Sequence, residues 1–199
     1  MPAYCHWLSA LARGLLAALL AIAAGLAVAA DSGSVVEHAE VRQANGGYVA
    51  DLVIWLPAPR ELAFAVLIDF ERMPEWVPNL RQTRVLERDA NRVTVEHQGV
   101  VQYGILTVPF TTLREVGFVA PDRIHTLQIR GTMKRHESRM VFAEDRAGTR
   151  IDYHVEMEPS ALAGLVMNEG RVESELRAHC EAIGAEILRR KDALPTVSK

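Results

Sequence analysis

The chain has 199 residues, 49% of them hydrophobic, and 22 Lys and Arg against 25 Asp and Glu leave a net charge of −3. That length suits one domain with a sizeable core, and the mild acidity offers no electrostatic footprint for nucleic acid. Of the two cysteines, Cys5 precedes the apolar leader described next and Cys180 follows it, so no disulfide is expected within a processed chain.

Residues 1–30 read as a secretory signal. Arg13 precedes an apolar run from Leu15 to Ala30, which ends in Ala27-Val28-Ala29-Ala30 and turns polar at Asp31-Ser32-Gly33-Ser34. This is the charged, apolar, small-residue order of a cleavable signal, and the run falls short of the ~20 residues that span a bilayer. Cleavage near Ala29 or Ala30 and export to the periplasm are expected. The organisation that follows is an N-terminal extension or hairpin strand at 31–47, the main domain at 48–191 and a flexible tail at 192–199.

Val36–Gln43 and Tyr48–Leu56 flank Asn45-Gly46-Gly47, a strong hairpin signal because Asn and Gly tolerate positive φ. Pro59 suits the first turn of a helix, and Glu61 complements its dipole. Leu62, Val66 and Phe70 mark a short helix to about Phe70, followed by a helical turn or structured loop at Met73–Asn79. The period then changes to two. Strands are expected at about 81–88, 92–102, 104–118 (bent near Pro109), 123–130, 132–143 and 149–158, an antiparallel succession. The charged run Lys134–Arg139 reads as a solvated strand edge. From about 160 to 191, Val172, Leu176, Cys180, Ile183 and Ile187 recur three or four apart, which predicts one long amphipathic helix. Gly164 and Gly170 leave room for a break or a separate short helix at its start. The economical packing is an α+β fold in which a curved antiparallel sheet wraps around the long C-terminal helix, with short helices after the N-terminal strands.

This layout and several local words resemble the START/Bet v 1-like (SRPBCC) superfamily with its helix-grip fold. More narrowly, the chain resembles the exported polyketide cyclase/dehydrase or coenzyme-Q-binding-type branch. The matching stretches are Leu56-Pro57-Ala58-Pro59, Val66-Leu67-Ile68-Asp69-Phe70, Trp76-Val77-Pro78-Asn79-Leu80 and Arg84-Val85-Leu86-Glu87. Gly131, Gly148-Thr149-Arg150 with Tyr153, and Glu158-Pro159 continue the likeness. The resemblance implies a deep apolar cavity between sheet and helix for lipids, quinones, sterols or polyketides. It also implies a ligand-binding role for the domain at 48–191. Met140 stands where relatives often carry an aromatic residue.

Strand alternation selects the side chains facing that cavity. Val93, Val95, His97, Gly99, Val101 and Tyr103 share one face of their strand. In the hairpin turning at 145–148, Phe142 falls opposite Ile151, Met140 opposite Tyr153, Ser138 opposite Val155 and His136 opposite Met157. Cavity candidates from the strands are Val95, His97, Val101, Tyr103, His136, Met140, Tyr153 and Val155; the helix adds Val172, Leu176 and Ile183. The polar members His97, Tyr103, His136, Ser138 and Tyr153 either orient a ligand oxygen or hydrogen-bond within the core.

No catalytic residue, metal site or cofactor is assigned. The only close His/Cys pair after the leader is His179-Cys180, and helix neighbours point about 100° apart; a buried thiol beside an exposed histidine is expected. There is no Gly-x-Ser-x-Gly elbow and no phosphate-cradling glycine loop. The leading expectation is a periplasmic carrier for a hydrophobic small molecule, with transient contact to a membrane surface and no nucleic-acid partner. The alternative is a cyclase or dehydratase acting on a polyketide-like substrate by general acid–base catalysis through His97 or His136 with Tyr153. A third is an envelope adaptor with a filled core.

Overall fold

Two strands that turn back on each other begin the fold, and everything later is built outward from that hairpin. A computed structural model describes residues 34–103, 106–165 and 167–195, apart from the side chains of residues 103, 106 and 162. The expected leader and the last four residues of the expected tail lie outside the described residues. Strand β1 (Val36–Ala44) and β2 (Gly47–Leu56) meet at a turn with Asn45 at φ 51° and Gly46 at φ 76°, the left-handed geometry that short hairpin turns require. Helix α1 (Arg60–Leu67) and a 3-10 segment (Phe70–Glu75) lead to β3 (Leu80–Arg88), β4 (Arg92–Tyr103), β5 (Leu106–Val119), β6 (Arg123–Gly131), β7 (Arg135–Asp145) and β8 (Gly148–Glu158). A single turn, α2 (Ala161–Gly164), precedes the long α3 (Glu169–Asp192). The strands form one antiparallel sheet in the order β1-β2-β8-β7-β6-β5-β4-β3. The expected α+β helix-grip architecture is present.

Several element boundaries differ from expectation, each for a local reason. Pro59 is the N-cap of α1 rather than a first-turn residue. The helix stops at Leu67, short of Phe70, and Asp69 just beyond it pairs with Arg190 Nη1 at 2.7 Å. The strand after Gly131 starts at Arg135 because Thr132 and Lys134 spend their N–H groups elsewhere, on Thr111 O at 3.0 Å and Glu158 O at 2.9 Å. The run Lys134–Arg139 enters β7, where Arg135 and His136 pair with β8 alone and keep an open edge, while Glu137–Arg139 lie between β6 and β8, inside the sheet. Its exposed charges are paired across the outer face, Lys134 with Glu158 at 2.8 Å and Arg135 with Glu156 at 3.1 Å. The separate short helix allowed for near Gly164 and Gly170 is present, and the long helix starts after Asn168, whose side chain accepts a hydrogen bond from Arg171 N at 3.0 Å and caps α3. Pro109 does not break β5. Opposite it, Val100 directs its N–H to Asn79 O on the far side of β4, so the proline faces a position where no ladder bond is lost.

Helix α3 packs against β1, β2 and α1. Gly184 permits the closest approach, since a Cβ there would lie 2.8 Å from both Val35 methyls and 3.2 Å from a Leu56 methyl. Glu181 bonds Val35 N at 3.2 Å and the Ser34 hydroxyl, while Glu169 accepts from Gln43 N at 2.8 Å near the helix's other end. The helix is thus fastened along the β1–β2 side of the sheet.

Near the C-terminal end of α3, Glu186 is 5% exposed and receives Arg189 at 2.7 and 2.8 Å and Arg190 at 2.6 Å. Those hydrogen bonds, Arg189's foremost, hold its carboxyl down at about 2 against the opposing effect of burial. Arg190 carries the link on to Asp69 after α1. Removing one member of such a cluster strands the others. Glu186→Ala should therefore cost about 3 kcal/mol or more in urea unfolding; a variant with unchanged stability would show the network to be inert.

Candidate functional site

The side of α3 turned away from β1 does not meet the sheet. Between that side, the strap running from Phe70 to Leu80, and the inner faces of β4–β8 lies a cavity of about 310 Å³. Its walls are largely apolar. Leu67, Phe70, Met73, Trp76 and Leu80 come from α1 and the strap, Val101, Phe110, Val116, Ile124 and Met140 from the sheet, and Leu176 and Ile183 from α3. The strap is held to β4 by backbone: Asn79, at φ 66°, accepts from Val100 N at 2.9 Å. Gly99 makes this contact feasible, because a Cβ there would sit 2.2 Å from Asn79 O and under 3 Å from the Phe110 ring.

Into this apolar space the sheet sends one permanent charge. On β5, Phe110, Thr112, Arg114, Val116 and Phe118 share a parity, and the buried Thr112 and Val116 mark it as the inner one. A register irregularity between Leu113 and Arg114 against β6 lies at the same point; such bulges re-aim side chains. Arg114 is oriented by a relay. Its Nε donates to Thr112 Oγ1 at 3.4 Å, that hydroxyl donates to Gln128 Oε1 at 3.2 Å, and Gln128 Nε2 donates to Met133 O at 2.9 Å. Among the described residues, no carboxylate pairs with Arg114 and no acceptor meets its Nη1 or Nη2. Burial lowers its pKa from the ordinary value, with the Tyr153 hydroxyl acting in the opposite direction, yet a guanidinium keeps its charge at neutral pH.

Three histidines lie within electrostatic reach of Arg114. Burial first, then Arg114 and His179, brings His97 down to about 3; the same causes bring His136 to about 3. His179 falls to about 4 through burial and Arg114. All three are neutral at pH 7. His97 shares a 3.0 Å hydrogen bond between its Nδ1 and Thr83 Oγ1, whereas the buried His136 Nδ1 has no partner. Tyr153 is pushed up to about 12 by burial and then Cys180, partly offset by Arg114 and a hydrogen bond with Ser138. Cys180 is itself buried and raised to about 12, chiefly by burial. Among the described residues, no group of three or more His, Cys, Asp or Glu is placed to hold a metal ion.

Of the residues singled out from sequence, His97, Val101, Met140, Tyr153, Leu176 and Ile183 line the cavity, as does Ser138. The strand pairing Phe142–Ile151, Met140–Tyr153, Ser138–Val155 and His136–Met157 is the one observed. Val95 and Val155 point to the same side but are wholly covered in the core, and Val172 is buried without reaching the wall. His136 also stands behind the wall, and the Tyr103 side chain lies outside the described residues. His179 is not the exposed neighbour of Cys180 that was expected; it forms part of the cavity wall. It lies three residues after Leu176 and four before Ile183, so the spacing that selects those two selects it as well. Arg114 and Thr126 were missed. The signal for Arg114 was present in the alternation Phe110-Thr112-Arg114-Val116-Phe118, a charge in an apolar phase.

The sequence pattern of the polyketide cyclase/dehydrase and lipid transport family matches residues 56–177, and the chain belongs to that family. No curated protein matches the chain closely enough to add to this assignment. Among solved structures it is similar to the STAR-related lipid transfer protein from Xanthomonas axonopodis, with a TM-score of 0.64 at 12% identity over 80% of this chain and 97% of that one. It is also similar to a START superfamily protein from Mycobacterium smegmatis, with a TM-score of 0.59 at 16% identity over 71% of this chain and 98% of the other. The Zhui aromatase/cyclase from Streptomyces sp. R1128 gives a TM-score of 0.54 at 15% identity over 77% and 96%. At these identities the likeness establishes the helix-grip fold.

The three histidines make stability pH-dependent. Each has a folded-state pKa below its ordinary 6.5, so the unfolded chain binds more protons as the pH falls. Their contribution is complete above about 6.5 and is lost progressively toward about 4, at up to ~1.4 kcal/mol per pH unit for each histidine. Urea midpoints at pH 7, 6 and 5 should decline in that order, and the decline should be shallower in His179→Gln. Equal slopes in the two proteins would mean that His179 titrates normally.

Proposed function

We propose that this protein is an exported carrier that holds a hydrophobic small molecule between its sheet and its C-terminal helix. The observation that carries the proposal is the cavity of about 310 Å³ with apolar walls, which falls within the size range of small-molecule sites. A ligand entering it gains about 25 cal/mol for each Å² of apolar surface withdrawn from water. Entry is between the strap around Trp76–Asn79 and the first half of α3, the two segments that frame the cavity away from the sheet. The leader-like residues 1–30 support delivery to the periplasm, where a lipid, quinone or polyketide-like molecule needs an escort through water.

The family and its neighbours include both lipid transfer proteins and cyclases. The polar groups of this cavity favour the carrier. General acid–base catalysis works best with pKa values near the working pH, and here the environment moves them the other way. The histidines drop to about 3 or 4 and Tyr153 rises to about 12. Neutral imidazoles and a tightly held phenol suit recognition more than proton transfer.

Native mass spectrometry of gently purified protein should detect a co-purifying hydrophobic molecule. N-phenyl-1-naphthylamine, an uncharged fluorescent probe, should bind with enhanced emission, and Leu176→Arg should weaken that binding at least tenfold. A folded Leu176→Arg protein that takes up the probe as well as wild type would remove the cavity as the binding site.

A further inference from the structure

The cavity wall contains a cation with nothing to neutralise it. Arg114 sits in an apolar hollow, its Nε committed to Thr112 and its Nη1 and Nη2 without an acceptor among the described residues. Arg114 is half-buried, its Nη edge facing the hollow, and a guanidinium partly withdrawn from water is stabilised by a partner that supplies hydrogen bonds and opposite charge. Elsewhere in the fold the half-buried guanidinium groups meet carboxylates: Glu186 and Asp69 for Arg190, Asp122 for Arg60. Glu175 is the one acidic residue on the cavity wall among the described residues, and it is exposed and unpaired with Arg114.

We infer that the molecule carried in this cavity is an amphiphile with a carboxylate headgroup, and that the carboxylate seats on the free Nη edge of Arg114. This rests on the carrier reading and specifies its ligand class. Three features select a carboxylate over other headgroups. The two Nη groups form a planar fork that accepts the two oxygens of a carboxylate side by side. The cavity offers one positive charge, since His97, His136 and His179 are neutral, so a monoanion balances it and a dianionic phosphate does not. The relay Arg114–Thr112–Gln128–Met133 holds the fork in place before the ligand arrives, so little orientation remains to be lost on binding. Tyr153 and His179 line the same space. The hydrocarbon part lies against Met140, Ile124, Leu176 and Ile183.

The test uses the full chain and three twelve-carbon ligands, dodecanoate, methyl dodecanoate and dodecyl phosphate, each displacing N-phenyl-1-naphthylamine at pH 7.5. Wild type should bind dodecanoate at least tenfold more tightly than the methyl ester and more tightly than dodecyl phosphate. In Arg114→Gln the acid-to-ester ratio should fall to near one. Arg114→Lys, which keeps the charge and loses the fork, should give an intermediate ratio. If Arg114→Gln fails to fold, the wild-type ratio and the lysine variant decide the matter. Equal affinity of wild type for acid and ester overturns the headgroup assignment and leaves the carrier reading intact. Tighter binding of dodecyl phosphate overturns the choice of carboxylate. Failure of wild type to bind any of these ligands or the uncharged probe overturns both readings together.

Discussion

A single helix has to close an eight-stranded sheet, and it is too narrow to do so. Helix α3 is drawn tightly to β1 and β2 by Gly184, by Glu181 against Ser34 and Val35, and by Glu169 against Gln43. Having been pulled to one side, it stands away from the strands on the other. The remaining gap is partly covered by the strap between α1 and β3, which bonds to β4 through Asn79. Space left inside is the geometric result of these attachments. Burial of Leu52, Ile54, Ile151 and Ile187 on the tight side supplies the stability that allows the loose side to stay open.

Much of this architecture was legible because the hairpins announce themselves. Asn45-Gly46 and the turn at 145–148 set the pairing of their strands, and one correct register carries every side chain to its proper face. Met140 opposite Tyr153, and Leu176 and Ile183 on one helix face, could thus be placed inside before any coordinates. What escaped was of two kinds. Depth along a face is not encoded in alternation: Val95 and Val155 point inward like His97 and Tyr153, but neighbouring side chains cover them. Nor does the expectation that charges face water allow for a half-buried guanidinium on an inner face, so polarity hides Arg114 although its strand parity matches Thr112 and Val116. His179 shows a similar limit: its angle from the buried Cys180 points it outward, whereas its spacing from Leu176 and Ile183 puts it on their face.

The polar interior has a consistent character. One lasting positive charge is surrounded by imidazoles that burial and that charge keep neutral. A phenol nearby is held in its protonated form. These groups neither compete with Arg114 for an anion nor add to its charge. They present N–H, O–H and lone pairs around a fixed cation. A lipid transfer protein and an aromatase/cyclase share this fold, so the fold by itself does not separate the two roles.

The contact between the strap and β4 has a consequence for how such proteins diversify. It is made by main chain on both sides, Asn79 O with Val100 N, across a glycine that contributes no side chain. Residues such as Met73, Trp76 and Val77 contour the cavity wall beside an attachment made by main chain. Drift at those three positions can re-contour that wall while the main-chain attachment beside it stays the same.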